Sequence, residues 1–378
     1  MTQTKVEAPF VENSRPFRNL IINGDMQIAQ RGTSQTGVAN NASEGYNTLD
    51  RFALNFYGNE CGVATVSQDT TVPSDTTYGK FSKSIKIDVT TADTSIGATG
   101  SHALQQNIEA SFLHHSGWDY TNSSSKITLS FWARSVKAGD YCVNLQATDA
   151  TRYFVAQYTL VANTWKHVEV VVPGDSNLVF NDDNGEGLQV RWMLSTGDDR
   201  DGATAGSWFA PGSDYFQSTS SQVNFFDSTD NNFFLTGVQL EVGDAATNFE
   251  HLPHDVQLTR CQRYYYLHTS GAESNTSQVG VFSAYSSSNI QTSVFHPVQM
   301  RAAATADFVQ STDYFIAYGN NGNDSFVGFD LGGEGNKNGS QLYTASGRGV
   351  SVTQAAPYFV RVNGSTGATA RVAFDAEL

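Results

Sequence analysis

"KITLSFWARS", Lys126–Ser135, alternates with a period of two: Ile127, Leu129, Phe131 and Ala133 fall on one face, Thr128, Ser130 and Trp132 on the other. Successive side chains of an extended chain point to opposite sides, so this is a strand with one face on a core. The pattern extends outward. "HVEVVVPG" (167–174) groups Val168, Val170 and Val172 and stops at Pro173-Gly174, while "LQVRWML" (188–194) and "FFLTGVQLEV" (233–242) repeat it. "RFALNFYG", "GVATVSQ", "KSIKIDVT", "YCVNLQA" and "YFVAQYTLV" bring the total to about ten short strands between Asn19 and Gly243. Internal repeats and alternation of strand with helix are both missing, which excludes solenoids, propellers and doubly wound sheets. The pattern predicts an all-β fold whose main body is an antiparallel jelly-roll β-sandwich.

The texture changes at "LEVGDAATNFEHLPHDVQLTRCQRYYY" (240–266). Val256–Leu267 has helical spacing with Asp255 as its N-cap, so a short linking helix is expected there. Beyond it, runs such as "SQVGVFSAYS" and "PYFVRVNGS", separated by Gly/Asn-rich turns, predict a smaller C-terminal β domain. The expected organisation is an arm at 1–18, a sandwich at 19–250, a linker at 251–267 and a β tip at 268–378. Tyr264, Tyr265 and Tyr266 cannot share one face on a helix, and only alternate ones do on a strand. With Phe249 and Cys261 they are therefore assigned to an interdomain or intersubunit seam rather than to a stacking platform.

The net charge of −15 and sequence pI of about 4.8, with no Lys/Arg run, disfavour nucleic acid and anionic membranes as partners. Cys61, Cys142 and Cys261 are odd in number and widely spaced, so they predict neither a disulfide framework nor a zinc site. No apolar signal core or membrane span is visible, so synthesis in the cytoplasm without membrane insertion is expected.

The acidic loops "NDDNGEG" (181–187) and "GDDRDG" (197–202) lack calcium-loop spacing and read as solvated turns. His251 and His254 are separated by Pro253, and His114 and His115 would point in opposite directions on a strand, so neither pair makes a ligand set. Nucleophile, phosphate-loop and metalloprotease motifs are missing, and no pair of acids is singled out for glycoside hydrolysis, so no enzyme is expected. Aromatic rings in Gly/Ser-rich loops remain: Trp118 and Tyr120, then Trp208, Phe209 and Tyr215. Exposed, they would stack on the apolar faces of sugars; buried, they would plug the end of the sandwich.

"FRNLIINGDMQIAQRGTS" (17–34) resembles the N-L-L-I-N-G-D-F-x-x-x-Q-R-G opening of bacteriophage tail-fibre and related virion proteins. "DRFAL", "IEASFLHHSGWDY", "TWKHVEVVVPGD", the block from "FFLTGVQLEV" to "CQRYYY", "FHPVQMRAAATADF" and the final "VAFDAEL" are similar to the same family, in order, from Asn19 to Leu378. The resemblance implies a carbohydrate-binding-module-like jelly roll in a trimeric virion fibre. Its arm, with Pro9, Phe10, Pro16 and Phe17, would attach to another virion protein, and its tip would meet host surface polysaccharide. Related jelly rolls hold a structural calcium at places that here carry Gln27 and Thr236, so no metal is carried over and no cofactor is expected. The rival readings are a head or neck fibre or decoration protein, and a capsular polysaccharide depolymerase.

Overall fold

A computed structural model describes residues 17–378 apart from 41–42, 59, 213–215, 320–321, 334 and 346. Of the arm residues, Pro9, Phe10 and Pro16 lie outside the described residues, as does Tyr215. The chain divides into two compact units, Met1–Gln257 with Leu378, and Leu258–Glu377.

In the first unit the strands are β1 (Ser34–Ala39), β2 (Gly45–Tyr46), β3 (Ala53–Tyr57), β4 (Val63–Asp69), β5 (Ser84–Thr91) and β6 (Ser101–Glu109). They continue as β7 (Lys126–Ser135), β8 (Gly139–Ala147), β9 (Arg152–Leu160), β10 (Lys166–Pro173), β11 (Glu186–Thr196), β12 (Trp208–Phe209) and β13 (Asn232–Val242). One antiparallel sheet runs β1-β4-β5-β13-β7-β10 and the other β12-β9-β8-β11-β6-β3-β2. Their inner parts, β5-β13-β7-β10 and β9-β8-β11-β6, are the two four-stranded sheets of a jelly roll, in which most successive strands change sheets. The expected all-β jelly-roll sandwich is what forms.

The alternation seen in the sequence becomes the core. Ile127, Leu129, Phe131 and Ala133 of β7 point inward onto Leu104, Val143, Val190 and Trp192 of the opposite sheet. Phe131 meets Trp192 edge-on at 5.7 Å and Tyr141 packs on Phe233 at 5.9 Å. Each fully buried side chain of this size contributes about 1.5–3 kcal/mol.

The opening motif is a wedge in this sandwich. Asn19 donates to the Val238 carbonyl (3.1 Å) and accepts from the Leu240 amide (3.0 Å), while Asn23 bridges Ile28 and the Asp50 carbonyl. Gly24 lies against β13 so closely that a Cβ would sit 2.0 Å from the Val238 oxygen. Arg18 pairs with Glu241 (3.2 Å) and Glu250 (3.8 Å), while Phe17 is exposed with its amide on Glu250. Gln27 donates to the Asp25 carbonyl and Ser82, and Thr236 donates to the Lys83 carbonyl (2.7 Å).

Two local expectations need correction. His114 and His115 are not on a strand but close α1 (Ala110–His114), a single turn after β6. The linking helix is α2, His254–Gln262, which begins directly after Pro253 and ends four residues before Tyr266. The Gln257 amide bonds to the Pro253 carbonyl, so Asp255 lies in the first turn and is not the cap. The tyrosines leave the helix because aromatic residues fit a pleated surface and a partner strand is waiting.

The second unit contains β14 (Tyr265–Ser270), β15 (Gln278–Ser286), β16 (Asn289–Phe295), β17 (Thr305–Val309) and β18 (Phe315–Gly319). It continues with β19 (Gly322–Phe326), β20 (Asp330–Leu331), β21 (Gly339–Tyr343), β22 (Pro357–Val362) and β23 (Arg371–Asp375). The sheets are β14-β23-β17 and β19-β18-β22-β15-β16-β21-β20, around a core that includes Phe282, Phe315, Phe326, Phe329 and Phe374.

The residues assigned to a seam are found as follows. Phe249 packs edge-on against Phe81 (5.2 Å) in the first unit. Cys261, Tyr264 and Tyr265 are fully buried. The Tyr265 hydroxyl donates to Asp307 (2.7 Å), and half-buried Tyr266 stacks on Phe374 at 6.0 Å.

Tyr266 also donates to Nδ1 of His268 (3.0 Å), whose Nε2–H donates to the Val279 carbonyl (2.8 Å). Burial holds the His268 imidazole below its ordinary range, and the Val279 carbonyl only partly opposes this. The unfolded chain therefore takes up the proton first. This contribution to stability is complete above about pH 6.5 and is lost as the pH falls below that value. Calorimetry of the full chain should show the melting temperature falling between about pH 7.5 and about pH 5, and falling less in His268→Gln. An equal fall in both proteins would contradict the assignment.

Candidate functional site: the outward face of the seven-stranded sheet

Alternation puts half of each strand's side chains on the face turned away from the core. On β8, β11 and β6 that half is polar over two successive rows and apolar at Cys142, Met193 and Ala103. Register places Asn144 opposite Arg191 and Arg191 opposite Gln105, while the next row is Gln146, Gln189 and Asn107. Six planar amide or guanidinium groups thus form two rows across three adjacent strands, each row within cross-strand reach.

The deeper row, Asn144–Arg191–Gln105, is buried, and Gln146 and Gln189 are half-buried. Tyr57 flanks one side: its ring lies 5.4 Å from the Arg191 guanidinium and its hydroxyl donates to Gln105 (2.7 Å). Gln105 in turn donates to Asn107 (3.1 Å), Arg191 to Gln189, and Gln189 to Glu186 (2.8 Å). Tyr153 and Phe209 flank the other side, stacked at 5.9 Å. Ala103, Cys142, Val155, Met193 and Ala203, with Phe216 against them, form an apolar strip beside the rows.

Several polar atoms of this face are unsatisfied. Both side-chain atoms of Asn144, Oε1 of Gln146 and Nε of Arg191 lack hydrogen-bond partners. Buried polar groups are normally paired, and leaving one unpaired costs about 1–3 kcal/mol. No carboxylate pairs with Arg191 among the described residues. Planar donors and acceptors between aromatic walls suit a ligand rich in hydroxyl groups.

The aromatic candidates separate. Trp118 is 3% exposed and packs on Tyr120 (6.2 Å) and Phe180 (6.1 Å), and half-buried Tyr120 meets Phe180 edge-on at 5.0 Å. Trp208 is 8% exposed and its indole donates to the Pro173 carbonyl (2.7 Å). Exposed stacking by Trp118 and Trp208 is thus corrected: their loops fold back over the sandwich, where large rings gain more from core contact. Phe209 alone of the described candidates reaches the polar face, because β12 alternates Trp208 inward and Phe209 outward. Tyr57, Gln105, Asn144, Gln146, Tyr153, Gln189 and Arg191 were not singled out from the sequence. Their signal is the polar half of "YCVNLQA" and "LQVRWML".

A second surface lies on the second unit. Val281, Tyr285, Phe295 and Phe359 are exposed on its larger sheet, and a shallow recess of about 580 Å³ is lined by Val281, Tyr318, Tyr358 and Phe359. Arg361 lies over the Tyr318 ring at 4.9 Å. Among the described residues no helix is long and apolar enough to cross a membrane.

No family model matches this chain, and none of the curated proteins does. Similar solved structures include a carbohydrate-binding module of family 4, with 15% identity over 58% of this chain and 98% of that one and a TM-score of 0.29. A Bacteroides thetaiotaomicron protein described as sugar-binding shares 15% identity over 60% and 100% of the two chains, with a TM-score of 0.30. A cyclase from a Fischerella species shares 12% over 49% and 77%, with a TM-score of 0.27. The jelly-roll order stands on this chain's own strand pairing.

Proposed function

We propose that this chain binds saccharide, without turning it over, on the outward face of its seven-stranded sheet. The observation that carries the reading is the double row Asn144–Arg191–Gln105 and Gln146–Gln189–Asn107, with unpaired polar atoms between aromatic flanks. Amides and a guanidinium orient hydroxyl groups but do not exchange protons at neutral pH, so the face is built to hold rather than to cleave.

The setting we propose is a homotrimeric bacteriophage fibre, with the segment before Phe17 holding another virion protein and the saccharide belonging to the host surface. This setting is supported by the stretches that resemble virion fibre proteins, "FRNLIINGDMQIAQRGTS" and the block ending in "CQRYYY". Three weak sites on one fibre would gain avidity where they engage together. The polar rows lie in the first unit, so saccharide contact is assigned there rather than to residues 268–378.

The test is retention of the full chain on immobilised bacterial envelope polysaccharides. Retention by at least one, released by its own oligosaccharides and with no new reducing ends, is expected. Failure to be retained by any polysaccharide, or the appearance of reducing ends, would overturn the reading.

A further inference from the structure

Glu60, Asp93 and His102 each place a ligand atom within 4.8 Å of the others. Glu60 precedes β4, Asp93 follows β5 and His102 is on β6, so the cluster joins segments of both sheets of the sandwich. All three are buried, with His102 completely inaccessible.

His102 is held rigidly. Its ring stacks on Phe226 (4.1 Å between centroids, 20° between planes) and meets Phe56 edge-on at 4.9 Å. Neither ring nitrogen has a hydrogen-bond partner. An imidazole locked by its apolar faces, with both polar atoms unsatisfied and close to two carboxylates, is costly unless something else completes it.

The carboxylates are aimed by backbone amides. Cys61 (2.8 Å) and Ser95 (3.3 Å) donate to Asp93, and Gly97 (3.3 Å) donates to Glu60. A Cβ at Gly100 would lie 1.7 Å from Oε1 of Glu60, so glycine there lets the backbone press the carboxylate into place. No lysine or arginine pairs with either acid among the described residues. Two adjacent buried carboxylates without a cation are expensive to maintain.

We propose that Glu60, Asp93 and His102 bind one divalent first-row transition-metal ion, zinc foremost, which clips the two sheets of the sandwich together. Two carboxylates balance the ion's charge. Imidazole nitrogen favours zinc and its neighbours over magnesium and calcium, which take oxygen ligands. The competing occupant is a proton shared between the acids, because burial and the nearby Asp93 charge hold the Glu60 carboxyl above the usual range.

The experiment uses the full chain stripped with a chelator, then titrated separately with zinc and with calcium while metal content and melting temperature are followed. Zinc at about a hundredfold over its Kd should bind and raise the melting temperature by roughly 5–10 °C. The near-isosteric Glu60→Gln and Asp93→Asn should lose this rise while their stripped forms melt no lower than the stripped wild type. An indifferent wild type would show that the acids share a proton and overturn the proposal. A rise retained in both variants would report the exposed group His114, His115 and Asp182 instead and overturn it equally. A rise with calcium but not zinc would overturn the choice of ion.

Discussion

Replacing Arg191 with Met should weaken saccharide binding roughly tenfold to a hundredfold and leave the melting temperature unchanged or higher. Arg191 is 5% exposed, with a guanidinium that touches Tyr57 and Gln189 and lacks a carboxylate partner among the described residues. Exchanging a buried charge for an apolar side chain of similar volume is often neutral or stabilising. A hydrogen bond from a charged donor to a saccharide hydroxyl is worth about 1.5–3 kcal/mol, so affinity should fall roughly tenfold to a hundredfold. Arg191→Lys should recover little, since an ammonium does not reproduce the planar fork. Titration calorimetry against the retained oligosaccharide, with a melting curve of each variant, checks both halves. Binding preserved alongside a collapsed melting temperature would make Arg191 a structural residue.

Tyr265→Ala should cost the second unit about 3–5 kcal/mol, the usual range for deleting a buried aromatic ring. Tyr265 is fully buried and donates to Asp307 (2.7 Å), whose other carboxylate oxygen accepts from Arg371 (2.7 Å). The variant thus opens a cavity and strips a donor from an acid. For a unit of this size the loss corresponds to roughly 10 °C or more in melting temperature. Tyr265→Phe keeps the ring and should lose only about 1–3 kcal/mol. Equal losses in the two variants would place the whole effect in the hydroxyl and contradict the packing account.

The jelly roll was legible because its core faces are written with a period of two; β7 and β10 each carry an unbroken apolar half, and β13 carries one that changes phase, from Phe233 and Leu235 to Val238 and Leu240, at the bulge between Thr236 and Gln239. The outward face was not legible for a topological reason. Asn144, Gln189 and Arg191 read one strand at a time as solvated positions. They become a surface only because β11 inserts between β8 and β6, an order that no local pattern specifies. Trp118 and Trp208 misled because loop composition says where the chain turns, not whether the loop folds back over the core. The tyrosine triplet sits where helical spacing and aromatic strand preference compete, and pairing of Tyr265 with Asp375 and Tyr266 with Phe374 decides for the strand. Glu60, Asp93 and His102 share no motif spacing, and only the approach of three separate segments brings them together.

The central claim is that saccharide lies across β8, β11 and β6. Photo-crosslinking with a diazirine-bearing oligosaccharide of the retained polysaccharide, followed by peptide mapping, tests it most directly. Labels on peptides spanning Gly139–Ala147 and Glu186–Thr196, competed away by unlabelled oligosaccharide, are the predicted result. Competable labels confined to β15, β18 and β22 of the second unit would contradict it.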